Sequence, residues 1–473
     1  MTDRKLKSCF QPLTSSLSLN CALREKVYPI RAICVISVLT SRRFYAHKIM
    51  TDILLTSVQI IDKQSSYHLQ RTNILISGGR IAKIGNPDAA NAKVIDASAL
   101  SVSAGWFDMR AFAGEPGFEY KETIETTCRA AAQGGFTEVA VLPNTQPVIQ
   151  HKEALAFLAQ RSVAFPVQLH AIAALSIDTK GEDMTEMVDL HHAGAVAFSD
   201  GVHPVNHTGL IYRTLQYLQQ FNGLFINVPD DKHLSKNGVM HEGIASTMLG
   251  MKGIPSIAEQ MGIQRDLQLL EYAGGRIHFT GISSAESVEM IRQAKKRGLR
   301  ATCDIAAHQL AFTDDDLADF DTNLKVKPPF RSRRDIDALL AGLADGTIDA
   351  IVSAHQPQDE ESKKLEFDLA EFGILGLETA FAAARTHSVH QLPVEALVEK
   401  FAVNPRRILN LPVPQVAEGQ VANLTLFHPD EEWTFSVQHI RSASRNTPFT
   451  GKKLKGRAVA IFNKNQFQWV ADQ

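Results

Sequence analysis

From Ser101 onward, short β-branched and apolar runs alternate with longer stretches whose apolar residues recur every three or four positions. Eight of the short runs read as strands: "SVSAGWFD", "TEVAVLPN", "VQLHAIAAL", "AVAFSDG", "LFINVPD", "RIHFTGIS", "RATCDIAAH" and "DAIVSAHQ". Stretches such as "KETIETTCRAAAQGG", "GLIYRTLQYLQQFNG", "SAESVEMIRQAKKRG" and "RRDIDALLAGLADG" have helical spacing, and several end in the glycine expected just past a helix C-terminus. Repeated strand–helix units with continuously apolar strands imply a closed parallel barrel, with its site at the C-terminal ends of the strands. On either side the period falls to two, in "DILLTSVQIID" and "TNILISGGRIAKIG" before and "GQVANLTLFHP", "EEWTFSVQHI" and "KGRAVAIFNKNQFQWV" after. The expected fold is α/β: a (β/α)8 TIM-type barrel over residues 101–410, with a small β-sandwich built from flanking residues 50–100 and 411–473.

Composition narrows the partners. The chain has 473 residues with 49 basic and 51 acidic side chains, a balance that points to neither nucleic acid nor an anionic membrane surface. Its five cysteines form no CxxC pair, and Cys9, Cys21 and Cys34 crowd into the start, so a reduced, cytoplasmic setting is expected. Residues 1–49 differ from the rest, with Arg and Lys outnumbering Asp3 and Glu25. The apolar run "AICVISVLT" there is too short to span a bilayer. The segment reads as disordered or over-extended, with Met50 opening the folded protein.

Many separate segments in order, among them "EPGFEYKETIET", "PNTQPVI", "GAVAFSDG", "HEGIAS", "KPPFR", "FGILGLET", "NPRRIL" and "RNTPFTGKKLKGR", resemble the dihydroorotases of the amidohydrolase superfamily. The likeness is to the type in which an aspartate bridges two metals, and it covers the chain from Met50 on. It implies zinc as cofactor, cyclic-amide hydrolysis and a place in pyrimidine biosynthesis. At the family's Asp-x-His-x-His-x-Arg run, however, this chain has Asp108, Met109, Arg110, Ala111, Phe112, Ala113 and Gly114, so Arg110 and Phe112 replace two histidine ligands and Gly114 the substrate arginine. Asn227 in "NVPD" and Gly281 in "HFTG" stand at two more ligand positions. Ala354 in "SAHQPQ" stands where the family's aspartate is both ligand and general base, and Gln358 replaces a substrate-gripping histidine. Only Asp200 remains of the metal shell. A catalytic zinc needs about three protein ligands, and alanine accepts no proton, so no metal is expected and zinc enters by family resemblance only.

These losses resemble the non-catalytic dihydroorotase-like chains, and that resemblance implies a structural or regulatory partner of aspartate transcarbamoylase. Two other readings stay open: an active cyclic-amide hydrolase with an atypical site, and a module binding a small anionic metabolite in a pocket of Arg110, Phe112, Asn144, Asp200 and Lys327. Asn144 matches a family substrate contact, whereas Lys327 replaces an asparagine; Lys327 and Arg331 form a basic loop expected at the barrel mouth, binding an acidic ligand or solvated. Arg110 is expected to ion-pair with Asp200, which otherwise reads as a structural carboxylate at a strand end. His278, His308 and His355 read as satisfied core or loop groups; His278 precedes the ligand position by three residues, a spacing that changes faces along a strand. His191 and His192 are expected to be solvated, and Cys303 to be a buried small hydrophobe. A homo-oligomer is the expected state.

Overall fold

The computed structural model describes residues 51–470, so the expectations for residues 1–49, with Cys9, Cys21 and Cys34, lie outside the described residues. Eight parallel strands follow one another in register: β1 (Trp106–Ala111), β2 (Phe136–Val141), β3 (Gln168–Ala174), β4 (Ala197–Ser199), β5 (Phe225–Asn227), β6 (Ile277–Phe279), β7 (Ala301–Ala306) and β8 (Ala350–Val352). A parallel bridge between Ala111 and His355, with the Phe112 amide donating to the His355 carbonyl at 2.9 Å, joins β8 back to β1. The barrel is therefore the TIM-type one that the repeat implies. Its helices start where capping residues allow: Thr123, Ser284 and Ser332 precede Ile124–Gln133, Ala285–Lys296 and Arg333–Asp345.

The first expected strand divides in two. Ser101–Ala104 belongs to the flanking sheet, where it pairs parallel with Ile53–Ile60 and antiparallel with Leu424–Thr434. The chain enters the barrel through Gly105, whose amide donates to the Asn423 carbonyl at 2.9 Å. A Cβ at Gly105 would lie 2.1 Å from Asn423 Oδ1 and 2.2 Å from Thr137 Oγ1, so the crossover has no room for a side chain. The boundary expected between residues 100 and 101 thus falls at Gly105. The flanking segments form one continuous mixed sheet by hydrogen bonding. Its order is Gln466–Trp469, Lys453–Asn463, Leu424–Thr434, Ser101–Ala104, Ile53–Ile60, Arg71–Ser77 and Arg80–Gly85, with Lys93–Asp96 beside Ile53–Ile60. Ser101–Ala104 is the reason, because it bonds to the N-terminal strands on one edge and the C-terminal strands on the other.

Sheet and barrel are fastened where the strands begin. Trp106 is fully buried and stacks on Phe381 at 4.2 Å, with Phe427 of the sheet at 5.2 Å. Beside it, Arg406 donates to the Gly105 carbonyl and, at 2.8 Å, to Glu138 Oε1. The same oxygen accepts from Asn423 Nδ2 at 2.7 Å, and Glu138 Oε2 meets His170 Nε2 at 2.7 Å. Burial works to raise the Glu138 pKa, but His170 and Arg406 outweigh it and bring the carboxyl down to about 2. A carboxyl held below its ordinary 4.5 stabilises the fold above that pH and loses the contribution as pH falls toward 2. Glu138→Gln should cost about 3 kcal/mol at neutral pH by leaving Arg406 buried without its anion. It should also flatten the fall in unfolding temperature between these two pH values, as read by calorimetry.

Candidate functional site

At the C-terminal ends of the strands the inward side chains shut water out and must satisfy one another. Asp304, on β7 and 1% exposed, is their hub. It accepts from the Gly281 amide at 2.6 Å and from Thr280 Oγ1 at 2.9 Å, and meets His278 Nε2 at 2.9 Å. His278 is held on its other side by Thr302 Oγ1 at 2.8 Å. Arg110 reaches across from β1, with Nη1 donating to Thr280 Oγ1 at 3.4 Å. Burial pulls its pKa down, while the carboxylates of Asp304 and Asp108 favour the charged form. The guanidinium fills the space that a side chain at position 281 would enter: a Cβ on Gly281 would lie 2.3 Å from Arg110 Nη1. Arg110 and any side chain at 281 therefore exclude each other in this arrangement.

Asp108, one turn of the pleat below Arg110, accepts from the Ser353 amide at 2.7 Å and from Ser353 Oγ at 2.6 Å. Burial pushes its carboxyl up to about 7 against those two bonds. The next residue, Ala354, turns the chain with φ +47° and presents only a methyl group. His355 then faces away into a separate network, with Nδ1 accepting from the Gly376 amide at 3.2 Å and Nε2 lying 3.3 Å from Glu122 Oε2. His308 Nδ1 is buried with no hydrogen-bond partner, and burial together with the Arg110 charge pushes its pKa down to about 3. His278 and His355 are thus held by protein partners, whereas His308, expected to be satisfied, keeps a buried Nδ1 with no hydrogen-bond partner. His278 and Gly281 nevertheless meet the same carboxylate. The strand ends at Phe279 and the chain turns at Gly281, φ +71°, so strand alternation no longer separates them.

Asp200 does not pair with Arg110, contrary to expectation. Its Oδ1 accepts from the Ser176 amide at 2.8 Å and its Oδ2 from Ser176 Oγ. Burial raises its pKa, and these hydrogen bonds only partly offset that. Asn144 is consumed as well: Nδ2 donates to the Asp200 carbonyl and Oδ1 accepts from the Val202 amide, each at 3.0 Å. Asn227 donates to Asp266 at 2.7 Å and accepts from the Val205 amide at 3.0 Å. Lys327 pairs with Asp230 at 2.9 Å. Arg331 is neither solvated nor offered to a ligand; it is 2% exposed and donates to Ser283 Oγ, His241 Nδ1 and the Ile254 carbonyl. Gln358 Nε2 donates to the Phe372 carbonyl at 2.7 Å. Phe112 packs near Phe118, their ring centres 5.9 Å apart. The five residues of the expected anion pocket are therefore not gathered around open space. The cavity beside Gly281, Lys327 and Arg331 measures about 20 Å³, room for roughly one water.

Elsewhere, His191 departs from its solvated expectation by stacking on Phe221 at 4.4 Å, while His192 is exposed. Cys303 is buried, as expected, and burial drives its thiol pKa well above the ordinary range. Among the described residues no helix is long and apolar enough to cross a membrane.

A dihydro-orotase-like family profile matches residues 102–287. A dihydroorotase of Pelotomaculum thermopropionicum is 44% identical over 392 residues, covering 82% of this chain and 92% of that protein. The chain belongs to the dihydroorotase family. A dihydroorotase of Syntrophus aciditrophicus is 39% identical over 89% of this chain and all of that protein. Solved structures of an L-hydantoinase from Arthrobacter aurescens, with TM-score 0.77 and 23% identity over 90% of this chain and 98% of that one, and of a D-hydantoinase, with TM-score 0.75 and 20% identity over 88% and 95%, share the fold.

Zinc, which the dihydroorotase resemblance implies, does not fit the residues present. Among the described residues no three His, Cys, Asp or Glu side chains are grouped so as to hold a metal ion. Asp200 and Asn227 are committed to protein donors and acceptors, and the space beside Gly281 contains a guanidinium, which donates hydrogen bonds and binds no cation. Sequence reasoning passed over Asp304, Thr280 and Ser353. A lone acid in the apolar run "TCDIA" was the available signal, since a buried carboxylate requires partners. Gly281→Ala should destabilise the chain by about 2–4 kcal/mol through overlap with the guanidinium and a φ that disfavours a Cβ. In an Arg110→Ala background the same change should cost at least about 1 kcal/mol less, measured by urea unfolding as a double-mutant cycle.

Proposed function

We propose that this dihydroorotase-family chain does not hydrolyse dihydroorotate and serves pyrimidine biosynthesis as a structural or regulatory partner, with aspartate transcarbamoylase as the candidate. The observation that carries the reading is the Arg110 guanidinium lying where a ligand side chain at position 281 would have to stand. Amide hydrolysis needs a water made nucleophilic and a group to take its proton. Ala354 supplies no base, and Asp108 spends both oxygens on Ser353. Retention of the whole barrel around a rewired mouth is what a scaffold role requires, because partner recognition needs the outer surface and not the strand ends.

The names of the relatives favour the opposite reading, an active dihydroorotase, since proteins 39–44% identical to this chain carry that name. The two readings part in one experiment. Purified full-length protein, incubated with zinc and freed of excess, should contain no stoichiometric metal and should turn over no dihydroorotate. Stoichiometric zinc with turnover defeats the proposal. The partner half is read by sedimentation with purified aspartate transcarbamoylase: a joint species is expected, and independent migration of the two proteins removes that partner.

A further inference from the structure

At the N-terminal end of the barrel, opposite the mouth, cations are matched with carboxylates: Arg406 with Glu138 at 2.8 Å, Lys295 with Asp349 at 2.6 Å and Arg297 with Glu271 at 2.9 Å. Arg276 and Arg300 break that pattern. They stand immediately before β6 and β7, where Ile277 lies in register with Ala301 and the Ile277 amide donates to the Arg300 carbonyl at 3.2 Å. That register on neighbouring parallel strands sends the two side chains off the same face, roughly 4.8 Å apart at the backbone. Both converge on one residue. Asn222, at φ +53° just after Gln219–Phe221, accepts from Arg276 Nη1 on its carbonyl at 3.2 Å and from Arg300 Nη2 on its Oδ1 at 2.7 Å. Asn410 Nδ2 donates to the same carbonyl at 3.1 Å, and Arg276 Nη2 donates to the Ile408 carbonyl at 2.6 Å.

Every one of these acceptors is neutral. Among the described residues neither guanidinium meets a carboxylate. Burial, and after it the charge of Arg300, pull the Arg276 pKa down. Like charges side by side on adjacent strands repel, and both forks keep N–H donors that the bonds to Asn222 and Ile408 do not use. We infer that Arg276 and Arg300 form a site at the base of the barrel for a doubly charged oxyanion, the phosphate group of a small molecule or inorganic phosphate itself. Charge selects this ligand, because a dianion compensates both guanidiniums whereas chloride or a single carboxylate leaves one of them uncompensated. The neutral acceptors already hold the two forks in place, so binding has little side-chain freedom left to remove. Arg300 is exposed and Arg276 half-buried, so the pair is reached from solvent. The site lies at the end of the barrel away from Asp304, and the inference is independent of the proposed function.

Isothermal titration of the full chain with sodium phosphate at pH 8, with sodium chloride holding the ionic strength constant, should show saturable binding with a Kd of about 1 mM or tighter. Arg300→Gln and Arg276→Gln should each weaken it by at least about 10-fold. Arg129→Gln, at another exposed arginine on helix Ile124–Gln133, should leave it unchanged. Thermal unfolding checks that each variant is folded, and should Arg276→Gln fail to fold, the exposed Arg300→Gln decides alone. Glycerol 3-phosphate separates the two sources: binding tighter than that of phosphate assigns the site to a phosphorylated metabolite, and equal or weaker binding assigns it to the free ion. No saturable binding of either compound, or binding that Arg300→Gln leaves intact, overturns the inference.

Discussion

A closed barrel buries the side chains that point inward, so a polar group there is costly unless it finds a partner among them. At the C-terminal end of this barrel that requirement converges on Asp304. One carboxylate takes the Gly281 amide, the Thr280 hydroxyl and the His278 ring, and lies close enough to Arg110 to favour its charge. Removing any of these partners leaves a buried charge poorly satisfied, which costs far more than the bond itself contributes. The network is therefore self-sufficient, and it determines what else the mouth can hold.

The relation between Arg110 and Gly281 follows from that constraint. The Arg110 guanidinium places a positive charge at the centre of the barrel, favoured by Asp304 and Asp108. The glycine leaves room for the guanidinium, while Asn227 ties Asp266 to Val205 and Asp200 accepts from Ser176.

The opposite end of the barrel has a different task. There Glu138, Arg406, His170 and Asn423 lock strand starts to the flanking sheet, and Trp106 packs over the junction. Gly105, with no space for a side chain, lets the chain leave the sheet and enter the first barrel strand. Rigidity at this end permits changes at the other, because strand ends can alter their side chains without loosening the pairing that closes the barrel.

Strand–helix alternation made the barrel legible in the sequence, and period-two runs at both termini made the flanking strands legible, since each reports which faces are buried. The residue types at the strand ends were also legible, because they lie inside recognisable segments. Partner choice was not. "SVSAGWFD" reads as one strand, yet Gly105 divides it between two sheets; Arg110 and Asp200 read as an ion pair, yet Arg110 turns to Thr280 and the Asp304 charge while Asp200 turns to Ser176. Lys327, Asn144 and Arg331 read as a mouth awaiting a ligand, yet each is spent on the protein. By itself the sequence determined the periodicities that fold the barrel and the chemical types at each strand end. Only the tertiary structure decided which of those groups meet, because hydrogen-bond and charge partners are chosen by distance across strands far apart in the chain.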